Sequence, residues 1–138
     1  MKNLFFVIAT FTMTFNVYAH NENKYGPHKG YIRMPGVFHT EVVPQKNQNF
    51  RVYLLDVNIK NPSTQNSTVA LRYEGTKGFS AQYKCLKEKE YFSCSIDSNT
   101  TTLDLRSGSL VVEASREGKK GTPARYPLPL SLNMGMSH

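Results

Sequence analysis

The sequence predicts an all-β fold, an antiparallel immunoglobulin-like β-sandwich of about 8–9 short strands. Three observations carry this expectation. Short runs rich in Val, Ile, Tyr, Phe and Thr recur about every ten residues. Clusters of Gly, Pro, Asn and Ser punctuate them, and no stretch keeps the i, i+3, i+4 apolar spacing of a helix over three turns. The runs place strands near 30–34, 37–43, 50–57, 68–73, 79–85, 91–96, 101–105, 109–115 and 124–132. Turns are expected at Pro35-Gly36, 45–49, 61–66, 75–78, Asn99 and 118–121.

Taken in order, residues 1–19 read as a secretory signal. Lys2 gives a positive start, 4–15 (LFFVIATFTMTF) a short apolar run, and Val17-Tyr18-Ala19 the small residues of a cleavage site before His20. The apolar run is short for a membrane span, and no second one follows. A periplasmic or secreted location is therefore expected, with no transmembrane segment in the mature chain. Removing 19 of the 138 residues leaves 119, a single domain by length, and lowers the formal charge from +7 to +6. The basic residues are scattered, with no run longer than Lys119-Lys120. With export, this argues against a nucleic-acid partner and for a solvated surface that meets an acidic partner or lipid headgroups. Residues 20–27 (HNENKYGP) read as a flexible N-terminal segment, 28–132 as the β-sandwich domain and 133–138 as a flexible Met/His tail.

Cys85 and Cys94 are the only cysteines. A charged tip, LKEKEYFS, lies between them, so they are expected to face each other across a hairpin as a disulfide, worth about 2–4 kcal/mol. The spacing is neither that of a redox C-x-x-C motif nor a usual zinc pattern.

The chemistry-bearing stretch is GPHKGYIRMPGVFHTEVVPQKNQNFRVYLLD, 26–56. His39 and Glu41 are two apart, so on a strand they project from one face, and a turn at Lys29-Gly30 can return His28 beside them. Two imidazoles and a carboxylate suit copper or zinc, with Asp56 or His20 as a fourth ligand. The alternative is a hydrogen-bonded β-corner that holds no metal. His20, as a new N-terminus, can offer its amino group and imidazole together, and Met134, Met136 and His138 form an alternating set suited to copper(I). No G-x-S-x-G, H-E-x-x-H or Gly-rich phosphate loop occurs, so no enzyme is expected, although a Glu41 and Asp56 carboxylate pair is conceivable on residue type.

His28-Lys29-Gly30, then His39-Thr40-Glu41 with Val42-Val43, then Val52-Tyr53-Leu54-Leu55-Asp56, together resemble a small periplasmic β domain. That domain carries an H-G-G turn, an H-x-E-hydrophobic strand and a Y-L-x-D strand. It occurs alone or joined to periplasmic adaptor subunits of heavy-metal efflux pumps. The later LRSGSLVVEASREGKKGTPARYPLPL is similar to its final hairpin. Lys29 departs from the pattern, standing where the domain has the first glycine of H-G-G. The resemblance implies a transition-metal ion and an efflux-pump component as partners. The alternative from the residues is a non-catalytic envelope interaction module, binding another protein through a sheet edge or a basic face.

Overall fold

Alternation of apolar and polar side chains along the longer strands gives each sheet an apolar face, and the two sheets stack to bury those faces. The computed structural model describes residues 24–97, 99 and 102–132. One sheet has the order β1-β2-β3-β7-β6, from Tyr31–Arg33, His39–Pro44, Phe50–Leu55, Phe92–Ser95 and Lys84–Lys87. The other has the order β10-β8-β4-β5, from Ala124–Pro127, Ser109–Arg116, Thr68–Glu74 and Ser80–Gln82, with the two-residue β9 (Lys119–Lys120) paired to the end of β8. All pairs are antiparallel. The expected all-β sandwich is what forms.

Val42, Val52, Leu54, Phe92 and Cys94 from the first sheet meet Leu71, Tyr73, Leu110, Val112 and Tyr126 from the second in one apolar core. A polar link joins the layers inside it. The Tyr126 hydroxyl donates to the Thr40 carbonyl at 3.1 Å and lies 2.6 Å from Thr40 Oγ1. At one side, Arg33 donates to the Arg125 carbonyl and lies over the Tyr126 ring, stitching edge strands β1 and β10.

Three details differ from the sequence reading. The run expected as one strand at 79–85 is two strands in different sheets, with buried Tyr83 between them. Its amide donates to Leu71 O in one sheet and its hydroxyl to Gln48 O beside the other, so the chain changes layers there. No strand forms at 102–105, where buried Leu103 is held instead by a bond from its amide to Gln48 Oε1. The segment expected to be loose at 20–27 is ordered from its later part onward. Tyr25 bridges Tyr31 as an extra rung and Gly26 is buried. Residues 1–23 and the 133–138 tail lie outside the described residues.

Candidate functional site

The site is built on the outer face of the first sheet. Ile32, Glu41 and Tyr53 are direct cross-strand partners on β1, β2 and β3, so they share one face, and it is opposite to core-facing Val42 and Val52. Glu41 is nonetheless 0% exposed. Residues 25–30 fold back over it, with Gly26 N bonded to Gly30 O and Lys29 N to Gly26 O. Both glycines are required by contact, because a Cβ at either would run into the Glu41 side chain. Lys29 has φ 61°, the left-handed region that favours glycine, so a Gly at the first position after the histidine suits the backbone this turn adopts.

Every oxygen of Glu41 is engaged. Oε2 accepts the amides of His28 and Gly30, both at 2.9 Å, and Oε1 lies 2.7 Å from His28 Nδ1. Three N–H groups thus replace the water that a buried carboxylate loses. A carboxylate oxygen accepts, so Nδ1 carries the proton and Nε2 keeps a lone pair in the neutral ring. The imidazole lies flat on Tyr53, with centroids 3.6 Å apart and planes 7° from parallel. Tyr91 packs next to Tyr53, and the Arg51 guanidinium sits 4.5 Å from the Tyr91 ring centre. His28 keeps 29% of its side chain exposed. Its Nε2 has no hydrogen bond among the described residues and is not a buried atom. The pair is therefore polarised, with the carboxylate sealed inside and the imidazole at the surface.

His39 takes a different role. It pairs with Leu55, is 2% exposed, and its Nδ1–H donates to the Asp56 carbonyl at 3.0 Å. Its Nε2 is buried without a partner among the described residues. Asp56 closes the turn after β3. Oδ1 accepts the amides of Asn58 and Lys60, and Oδ2 accepts the Asn61 side-chain amide. Burial alone would push this carboxyl up. The bonds from Asn61, Lys60 and Asn58, with the Arg116 charge, together outweigh it and hold the group below the usual carboxylate range.

The sequence-derived ligand set is thus brought together in part. His28 and Glu41 meet, His39 turns to a backbone carbonyl, and Asp56 is absorbed by its own turn. Among the described residues no three His, Cys, Asp or Glu side chains converge as a metal site needs. His28, His39 and Glu41 are thus not gathered at one point among the described residues, and the outward nitrogen of the His28–Glu41 pair is His28 Nε2. Glu41 and Asp56 serve separate partners, so no acid–base pair arises from them. His20, Met134, Met136 and His138 fall outside the described residues. Cys85 and Cys94 are direct cross-strand partners on β6 and β7 and form the expected disulfide, with Cα atoms 4.0 Å apart.

Sequence reasoning did not single out Gly26, read Gly30 only as part of the turn that returns His28, and placed Tyr53 on its strand without a role in the site. Their signal was present as two glycines bracketing the histidine and a tyrosine opposite Glu41 once strands β2 and β3 are in register. Fold and site together define a two-sheet β-sandwich carrying a buried carboxylate paired with a surface imidazole on one outer face. Comparison with known protein families, curated proteins and solved structures finds no significant match.

Proposed function

We propose that the protein is an exported, non-catalytic β-sandwich that presents His28 to a transition-metal ion, copper or zinc, and serves metal handling or efflux in the cell envelope. The observation that supports this reading is the 2.7 Å contact from His28 Nδ1 to a fully buried carboxylate. Metal-binding histidines characteristically donate their second ring N–H to such a partner, which fixes the tautomer and makes the other nitrogen a better donor. One imidazole is a weak site by itself. The remaining positions fall to a donor outside the described fold, with His20, Met134, Met136 and His138 as the chain's own candidates.

The test is calorimetric titration of the mature protein with copper(II) and zinc(II), and with copper(I) against a competing chelator. One-to-one binding that His28→Ala abolishes and His39→Ala leaves intact supports the reading. Binding indifferent to His28, or weaker than roughly micromolar, a free energy near −8 kcal/mol, removes it.

A second reading, a module that binds an envelope protein, has its own support. β5 and β6 are successive and each is the outermost strand of its sheet, so one continuous run, 80–87, forms an edge of both layers. A groove of about 660 Å³ lies beside it, lined by Phe79, Ala81, Lys84 and Ile96 among others. An extended partner segment would add to this edge. Gln82→Pro would then abolish co-purification of the partner without changing metal affinity.

A further inference from the structure

Asn61, Asn66 and Asn99 each stand two residues before a Ser or Thr, the spacing of an acceptor for N-linked sugar. The structure separates them. Asn61 is followed by Pro62, which the acceptor rule excludes, and its side-chain amide is already donated to Asp56 Oδ2. Asn66-Ser67-Thr68 is built into the fold. Asn66 O accepts the Gly118 amide, and Thr68 is paired with Ser115 on β8. Ser67 between them is buried, its hydroxyl donating to Gln65 O and accepting the Glu117 amide. An enzyme that draws an acceptor backbone into its own cleft has to break these bonds first. Asn99 differs. It is exposed, lies in a turn outside the strands, and its carboxamide has no hydrogen bond among the described residues. Asp97, also exposed, stands two residues before it and accepts the Asn99 backbone N–H on Oδ1 at 3.0 Å. Thr100 and Thr101 enter through the sequence alone.

We infer that Asn99 is the acceptor of an N-linked oligosaccharide, transferred in the cell envelope onto the folded protein from a polyprenyl-diphosphate carrier. The Asn99 amide nitrogen attacks the anomeric carbon of the first sugar. The C–N bond forms as the bond from that carbon to the diphosphate oxygen breaks. The nitrogen gives up one proton, and polyprenyl diphosphate leaves with the bonding pair. Single-subunit oligosaccharyltransferases of bacterial envelopes take an asparagine with a hydroxyl two residues after it and a carboxylate two residues before it. The carboxylate pairs with a cation of the enzyme. Asp97-Ser98-Asn99-Thr100-Thr101 offers both, whereas Thr64 stands at the acidic position before Asn66. Asp97 also lines the groove beside the 80–87 edge, so a sugar on Asn99 stands next to that edge and shields it from pairing with another chain. The inference rests on the export part of the proposed function and is independent of the metal site.

The test is expression of the full chain in cells that carry a bacterial single-subunit oligosaccharyltransferase and its undecaprenyl-diphosphate-linked oligosaccharide. Intact-mass spectrometry of the periplasmic fraction reads signal removal and sugar attachment in the same molecule. Processed protein carrying the mass of a single oligosaccharide is expected. Asn99→Gln and Thr101→Val should lose that increment, and Thr101→Ser should keep it. Asp97→Ala should lose most of it, and Asn66→Gln should leave it unchanged. Circular dichroism confirms that each variant is folded. Processed protein without sugar overturns the inference while leaving export intact. So does an increment that survives Asn99→Gln or disappears in Asn66→Gln. A chain retained in the cytoplasm with residues 1–19 attached overturns the export reading, and this inference with it.

Discussion

The ring of His28 lies against the ring of Tyr53 at 3.6 Å while its Nδ1 points into the Glu41 carboxylate at 2.7 Å. The first contact fixes the plane of the imidazole and the second fixes its rotation within that plane. Tyr53 belongs to a central strand and is itself 6% exposed, so the surface imidazole inherits the rigidity of the sheet beneath it. Tyr53→Phe keeps the ring and should change stability little. Tyr53→Ala should cost about 3–5 kcal/mol in urea unfolding and broaden the His28 ring resonances in NMR spectra.

Glu41→Ala leaves the His28 and Gly30 amides without their acceptor beneath the 25–30 loop, and it also removes the partner of His28 Nδ1. A loss of about 3–5 kcal/mol is expected. Glu41→Gln retains one acceptor oxygen and the shape of the side chain, so its cost should be smaller, about 1–3 kcal/mol. Urea midpoints of the two variants, compared at constant slope, check the ranking.

At Lys29 the backbone has φ 61°, which a side chain resists. Lys29→Gly should relieve that strain at some cost in chain entropy, for a net gain of about 0.5–1 kcal/mol. A rise in thermal midpoint with unchanged metal affinity would show that the residue matters to the turn and not to a bound cation.

Part of the pH dependence follows from Asp56, beside Glu74 and Asp104, whose carboxyls are held low by hydrogen bonds from arginines. The folded-state pKa of Asp56 is lowered, so the group contributes stability above the ordinary carboxylate range and loses it as pH falls through the folded value. Unfolding midpoints should therefore drop in acid, below about pH 4. Asp56→Asn should be less stable at neutral pH and show a flatter acid limb. An acid limb as steep as that of the parent protein would assign the effect to other carboxylates.

The layers of the fold were readable because strand periodicity is local, so Val42, Val52, Leu71 and Val112 announce their buried face within a few residues. The His28–Glu41 contact was half readable. Period two placed Glu41 on its face and the Lys29-Gly30 turn offered a return for His28, but which atoms meet depends on the left-handed backbone at Lys29, which side-chain pattern does not encode. The place of His39 was hidden for the same reason. It shares a face with Glu41, yet the Asp56 carbonyl reaches its ring first, and that carbonyl's position is set by the turn at 56–61. The split of 79–85 between sheets was unreadable because Tyr83 is apolar enough to continue either strand.

The Tyr126 hydroxyl, held at Thr40 between the two layers, has a consequence for how the sandwich is assembled. Apolar side chains tolerate sliding, since one branched residue fills a gap much as another does. A buried hydroxyl displaced along the strand by one residue would find no oxygen waiting and would lose its hydration as well. That single phenol therefore acts as a dowel between two planks. It excludes alignments that the oily contacts alone would accept, and so holds the carboxylate–imidazole face in one fixed setting over the second sheet.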